Sequence, residues 1–158
     1  MLPPPDPTAP RIFIDSSVLM SGILSQRGAS YAVLVLAELG LLRLILCPYV
    51  QKEVERNLNL KTPEILPLYQ QLTARINWEV IPDPSPAAVL PLVAYMPAKD
   101  APVLAAAIQS APHRLITLDA AHFIRAINVS QLSGVAICTP GDLLRQIRGI
   151  LTRGFEQE

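Results

Sequence analysis

The stretch that determines the fold is Arg11–Asp15, which reads RIFID. Its three central residues are large and apolar, without the polar alternation of a strand that faces water on one side. Such a run is typical of a strand buried on both faces of a parallel sheet. Residues 114–119 read RLITLD, so a second, largely apolar stretch also ends at an acid. Both stretches therefore predict buried strands, each with a carboxylate at its carboxyl end.

Around these two strands, the chain alternates between β-like and helical segments. Further strands are predicted at residues 42–47, 78–81 and 135–138, and helices at residues 16–24, 31–41, 48–58, 62–75, 87–95, 100–110 and 140–151. Ser16 or Ser17 is the expected cap of the first helix. This alternation, with apolar strands, predicts an α/β fold in which helices cover both faces of a parallel sheet. Such sheets bind ligands at the carboxyl ends of their strands, where Asp15 and Asp119 are expected.

Length and composition restrict the possible classes of protein. The chain has 158 residues and a mass of 17.2 kDa, which is room for one domain. We place that domain at residues 11–151, between a Pro-rich extended arm at 1–10 and a frayed tail at 152–158. An apolar content of 51% with only 16% charged residues excludes a disordered chain. The 13 basic residues balance the 13 acidic ones, which excludes binding of nucleic acid through bulk positive charge.

The cysteines and the apolar stretches indicate the compartment. Cys47 and Cys138 each end a short β-like run and are predicted to be buried and reduced, and the scattered Cys and His residues suggest no zinc site. The longest apolar stretch, Tyr31–Cys47, is interrupted by charged residues and is too short to span a bilayer. The first residues lack the basic and apolar regions of a signal peptide. We therefore expect a cytoplasmic protein that does not enter the membrane.

Asp15 and Asp119 are the first candidates for chemistry. A carboxylate at a buried strand end is costly unless it is paired or binds a metal. Each of them alone is equally well explained by a cap or turn, in which the side chain accepts local backbone hydrogen bonds. Two such acids at one sheet edge, however, repel each other, and a divalent cation removes that repulsion.

Two further positions add acids to the same edge. Asp100 begins an Ala-rich helix and is a preferred N-cap residue, although capping is compatible with metal binding. Glu53 and Glu55 lie on either flank of the apolar stripe of the helix predicted at residues 48–58. Helical periodicity does not choose between these two, and a solvated helix face explains each of them equally.

Five segments resemble one known family in order and spacing. They read RIFIDSSVLMSG, PYVQKEVERNL, AKDAPVLAAA, LITLDAAHF and ICTPGDLL. Together they resemble the PIN-domain ribonucleases, and most closely the branch of VapC-like toxins of toxin–antitoxin systems. The resemblance covers residues 11–144 and implies a three-layer α/β/α sandwich around a parallel sheet.

The resemblance also implies a site and its chemistry. PIN domains bind Mg²⁺ or Mn²⁺ through clustered acids and hydrolyse RNA, and the matching residues are Asp15, Glu53, Asp100 and Asp119. It thereby selects Glu53 over Glu55. Ser17 and Thr117 match polar positions that support such sites. The expected partners are an RNA substrate, a cognate antitoxin and a second copy of the chain in a homodimer.

Contact with RNA is expected from local basic residues. These are Lys52, Arg56, Lys99, Arg145 and Arg148. Because the net charge is zero, we expect such binding to be weak and only modestly dependent on salt.

Two departures from the pattern keep other functions open. Related toxins often carry acids where this chain has Ala101 and Ala121. These losses favour, as the alternative, a catalytically weak or inactive PIN-fold protein that acts by binding a partner. A phospho-receiver module is disfavoured because Asp15 has no acidic neighbour and because Lys99 is the last lysine. A metal-ion adhesion site is disfavoured because Ser17 is followed by apolar residues instead of a further serine.

Overall fold

The central element is a five-stranded, entirely parallel sheet. The computed structural model describes residues 2, 6–124, 129, 131 and 133–155. The strands are β1 (Arg11–Ile14), β2 (Arg43–Leu46), β3 (Glu79–Val80), β4 (Arg114–Ile116) and β5 (Ile137–Cys138). Their spatial order is β3-β2-β1-β4-β5, and every neighbouring pair is parallel. The predicted sheet is therefore confirmed, with β1 at its centre.

Helices cover both faces of this sheet. They are α1 (Ser16–Leu24), α2 (Ala29–Glu38), α3 (Pro48–Lys61), α4 (Leu66–Ala74), α5 (Pro86–Val89), α6 (Ala101–Ser110) and α7 (Pro140–Phe155). Successive residues of a strand point to opposite faces, and Ile12, Phe13 and Ile14 are all almost fully buried. Both faces of β1 are therefore covered, as an α/β/α sandwich requires. None of the described helices combines the length and the apolar character needed to cross a bilayer.

Several helix bounds differ from the predictions, and prolines account for two of the differences. The helix predicted at residues 62–75 begins as a 3₁₀ turn, Pro63–Ile65, before α4. The helix predicted at residues 87–95 is α-helical over Pro86–Val89 and continues as a 3₁₀ segment, Leu90–Ala94, which contains Pro91. A proline lacks the backbone N–H that an α-helix interior needs. The last helix continues to Phe155, beyond its predicted end.

The two ends of the chain and the cysteines complete the comparison. In the region predicted as an extended arm, Asp6 accepts hydrogen bonds from the backbone N–H and the hydroxyl of Thr8, and Ala9 is buried. Residues 1, 3–5 and 156–158 of the predicted arm and tail lie outside the described part of the chain. Cys47 and Cys138 are both buried free thiols, as predicted, and burial raises the pKa of Cys47 to about 11.

An ion cluster joins three strands at the amino edge of the sheet, opposite the candidate acids. Glu79 at the start of β3 accepts two hydrogen bonds from the Arg11 guanidinium, with N–O distances of 2.7 and 2.9 Å. Arg43, at the start of the intervening strand β2, places Nε 3.3 Å from the same carboxylate. The Arg11 hydrogen bonds lower the pKa of Glu79 below its ordinary value.

We expect Glu79→Gln to lower the free energy of unfolding by about 1 kcal/mol at neutral pH, because the amide loses these charge-assisted bonds. The pKa of Glu79 is lower in the folded state, so its stabilisation is present above the pKa of an unfolded glutamate. It is lost as the pH falls through the folded value. Urea denaturation at neutral pH and at about pH 3 measures the difference, with the exposed Glu64→Gln as control. An equal deficit at both pH values contradicts this expectation.

Candidate metal centre

The candidate acids meet at the carboxyl edge of the sheet. Asp15 directly follows β1, and Asp119 follows β4, which is the neighbour of β1. Glu53 lies on α3, which follows β2 on the other side of β1, and Asp100 immediately precedes α6. The parallel topology thus directs all four positions to one end of the molecule.

Asp15 is a buried carboxylate held by a full set of donors. It is only 6% exposed. Its Oδ1 accepts a hydrogen bond from the Ser16 backbone N–H at 2.8 Å, and its Oδ2 accepts from the hydroxyls of Ser17 and Thr117, both at 2.8 Å. Asp15 therefore caps α1, which corrects the prediction that Ser16 or Ser17 would do so. Ser17 does not cap the helix; its hydroxyl instead donates a hydrogen bond to the Asp15 carboxylate.

Thr117 links Asp15 to Asp119. Its side chain is completely buried, and its hydroxyl accepts a hydrogen bond from the Asp119 backbone N–H at 3.0 Å while donating to Asp15. Ser17 makes a parallel link, since its hydroxyl accepts from the Leu118 backbone N–H at 3.1 Å. The two polar residues singled out in the sequence thus fix the first strand-end acid relative to the backbone that carries the second.

Asp100 occupies the N-cap position of α6 without acting as a cap. Its side chain makes no capping hydrogen bond, so the capping explanation does not account for it. Its Oδ2 is buried, makes no well-formed hydrogen bond with the described residues, and lies 3.1 Å from Nδ1 of His122. Burial, and next the negative charge of Asp119, raise the pKa of Asp100. The charges of Lys99 and His122 act on this pKa in the opposite direction.

The two glutamates of α3 have different surroundings. Glu55 is exposed, whereas Glu53 is half-buried. Burial raises the pKa of Glu53, and the charges of Asp15 and Asp100 act in the same direction against an opposing hydrogen bond from Ser16. Glu53 is thus the glutamate that lies close enough to the other acids to interact with them.

His122 is a member of this group that the sequence analysis missed. Its Nδ1 lies 2.8 Å from Oδ2 of Asp119 and 3.1 Å from Oδ2 of Asp100. The ligand atoms of these three residues all lie within 4.8 Å of one another. His122 belongs to a π-helical turn, Ala120–Ile124, that begins directly after Asp119. The sequence indicates this contact only through the i, i+3 spacing of Asp119 and His122, which combines a carboxylate with an imidazole and differs from a zinc pattern of Cys and His residues.

The arrangement fits a divalent cation. Carboxylate oxygens are hard ligands that suit Mg²⁺ and Mn²⁺, and an imidazole nitrogen additionally suits Mn²⁺ and later metals. The buried Oδ2 of Asp100 makes no well-formed hydrogen bond and lies 3.1 Å from Nδ1 of His122, and this pairing of two potential ligand atoms is the observation that most directly fits a cation. A cation would also relieve the mutual repulsion of the acids.

Comparisons with known proteins identify the same region. A family model described as the PIN domain matches residues 11–121, which include all four candidate acids. Among solved structures, the crystal structure of PAE2754 from Pyrobaculum aerophilum is similar, with a TM-score of 0.59 and 18% sequence identity over 88% of this chain and 90% of that chain. This likeness shows the fold. A search of curated proteins found no significant match.

Proposed function

The chain belongs to the PIN-domain family, whose members are generally nucleases, and on that premise we propose that it is a divalent-metal-dependent endoribonuclease. The observation that carries the proposal is the cluster of Asp100, Asp119 and His122, whose ligand atoms lie within 4.8 Å of one another around the buried Oδ2 of Asp100. Asp100 makes no capping hydrogen bond, and its Oδ2 lies 3.1 Å from Nδ1 of His122, which is a second potential ligand.

The acids that would hold Mg²⁺ or Mn²⁺ are Asp15, Glu53, Asp100 and Asp119, and the structure brings Asp100 and Asp119 within ligand distance of each other together with His122. A bound divalent ion supplies a water of lowered pKa and positive charge opposite the phosphoryl oxygens. Ser17 and Thr117 orient the Asp15 carboxylate, because each donates a hydrogen bond to its Oδ2.

The basic residues on α3 support an RNA substrate. Lys52 and Arg56 are exposed on the same helix as Glu53, and the charge of Arg56 acts on the pKa of Glu53. Lys99 directly precedes Asp100, and its backbone carbonyl accepts a hydrogen bond from the Tyr49 hydroxyl at 2.7 Å. Positive charge beside the acids would hold the phosphates of the strand being cut. Arg145, by contrast, is paired with Asp142 on α7.

We also propose a biological setting for this activity. The resemblance to toxins supports a cytoplasmic toxin that acts as a homodimer and is restrained by a cognate antitoxin. A neighbouring gene for a small DNA-binding protein that co-purifies with this chain and blocks its cleavage of RNA would support that setting. Co-purification without inhibition would instead favour the binding-only alternative, which the alanines at positions 101 and 121 motivate.

The sharpest test compares the two glutamates of α3. We expect Glu53→Gln to reduce Mn²⁺-dependent cleavage of single-stranded RNA by roughly 100-fold to 1000-fold, because it removes a ligand charge from the site. The matched change Glu55→Gln, two positions along the same helix but exposed, should leave the rate unchanged. Initial cleavage rates of the purified proteins measure both. Equal rates for both variants would show that the activity does not arise at this site, and Mn²⁺ binding without cleavage would favour the binding-only alternative.

A further inference from the structure

A second concave site lies beside the candidate metal centre. It is a cavity of about 270 Å³ between the N-terminal ends of α2 and α7, called here the α2–α7 cavity. Its lining includes Arg27, Ser30 and Tyr31 on one side, and Leu118, Thr139 and Gly141 on the other. None of the residues that line it is acidic. The cavity thus differs sharply in charge from the acidic cluster next to it.

The cavity is connected to the metal centre through one short chain of hydrogen bonds. Leu118 lines the cavity, and its backbone N–H donates to the Ser17 hydroxyl at 3.1 Å. The Ser17 hydroxyl in turn donates to Oδ2 of Asp15 at 2.8 Å. The cavity and the candidate acids are therefore neighbours, joined through Leu118 and Ser17.

The start of α2 offers the cavity a set of unused donors. Gly28 is its N-cap and supplies no side-chain cap, and the first turn contains no acid. The first intrahelical hydrogen bond is donated by Ala32 to the Gly28 carbonyl, so the three preceding amides have no intrahelical acceptor. These amides and the positive end of the helix dipole favour an anion.

Two side chains independently point to an anionic ligand. Ser30 is 6% exposed and lines the cavity, yet its hydroxyl makes no hydrogen bond with the rest of the described chain. Because Ser30 lines the cavity, its hydroxyl is available to a ligand that enters it. Arg27 is exposed at the rim and forms no ion pair within the described residues. A guanidinium of this kind binds the oxygens of a phosphate.

We propose that the α2–α7 cavity binds a backbone phosphate of the RNA substrate adjacent to the phosphodiester that is hydrolysed. This inference rests on the proposed nuclease function and gives the substrate a direction across the site, from the acids past Leu118 toward Arg27. The Ser30 hydroxyl and the free amides of α2 hydrogen-bond the phosphate oxygens, and Arg27 neutralises their charge.

The test measures binding of a short single-stranded RNA by fluorescence anisotropy, in an Asp119→Asn background that does not cleave it. We expect Arg27→Ala to raise Kd by about tenfold and to reduce the slope of log Kd against log salt by about 0.7. Ser30→Asp should raise Kd further, because it places a negative charge at the cavity, and because Ser30 is largely buried, urea denaturation checks that the variant is folded. The matched control Arg153→Ala removes an exposed arginine near the far end of α7 and should have little effect.

A neutral methylphosphonate placed at successive positions of the RNA locates the contact. At one position next to the scissile bond, the effect of Arg27→Ala should disappear, because the phosphate charge that it contacts is already absent. If wild-type protein cleaves RNA but neither Arg27→Ala nor Ser30→Asp changes Kd, the cavity inference is wrong and the nuclease function stands. If wild-type protein neither binds nor cleaves RNA, the proposed function itself fails, and the inference fails with it.

Discussion

Replacing Asp100 by Asn is expected to abolish metal-dependent RNA cleavage and, at the same time, to make the metal-free protein more stable. Cleavage should fall by roughly 1000-fold or more, because the variant loses a ligand charge at the buried position. Stability should rise in EDTA, because burial and the neighbouring Asp119 raise the pKa of Asp100 and the ionised form therefore opposes folding.

The pH dependence of stability separates this explanation from others. An acid with a raised folded pKa contributes stability at low pH, and that contribution is lost as the pH rises through the folded value. The advantage of Asp100→Asn in EDTA should therefore be present at neutral pH and absent in acid. Urea denaturation in EDTA and single-turnover cleavage with Mn²⁺ measure the two effects, with the exposed Glu64→Gln as control. A less stable variant, or one that cleaves at the wild-type rate, would be incompatible with a charge-strained metal ligand.

Thr117→Val is expected to weaken both the fold and the site. The two side chains have nearly the same shape, so the change removes little besides the buried hydroxyl that joins Asp15 to the Asp119 backbone. The Asp15 carboxylate and the Asp119 backbone N–H each lose one hydrogen-bond partner, which should lower the free energy of unfolding by about 1–3 kcal/mol. Because Asp15 also loses an orienting donor, Mn²⁺ affinity and kcat should fall by roughly 10-fold to 100-fold.

Thr117→Ser provides the matched control, since it keeps the hydroxyl and loses only a methyl group. It should restore Mn²⁺ affinity, measured by calorimetry, nearly to the wild-type value while remaining somewhat less stable. If Ser and Val reduce the affinity equally, packing at position 117 matters and the hydrogen bond to Asp15 does not.

The sheet could be predicted from the sequence because its signal is local. The apolar runs of β1 and β4 indicate buried parallel strands without reference to any other part of the chain. The position of Asp15 and Asp119 at one sheet edge follows from the same runs, since all strands point the same way. The ends of the helices were harder to predict from the sequence, because prolines such as Pro91 decide between α and 3₁₀ geometry within a single turn.

The remaining members of the site depend on tertiary packing. Glu53 and Glu55 flank the same apolar stripe, and only the packing of α3 against neighbours such as α1 and α6 makes Glu53 half-buried and leaves Glu55 exposed. His122 reaches both Asp100 and Asp119 because a π-helical turn follows β4, and no periodicity in the sequence indicates that turn. Ala101 and Ala121 therefore do not show that the site lacks ligands, since a histidine next to Ala121 contributes to it.

The bond between Asp15 and Thr117 has a consequence for protein synthesis. These two residues lie 102 positions apart, and β1 cannot pair with β4 until the later strand exists. Asp15 therefore lacks its Thr117 donor, and β1 its β4 neighbour, until residues 114–117 have been synthesised and have folded onto the first strand. Any newly made copy of the chain completes the proposed site only at that late stage of its own folding.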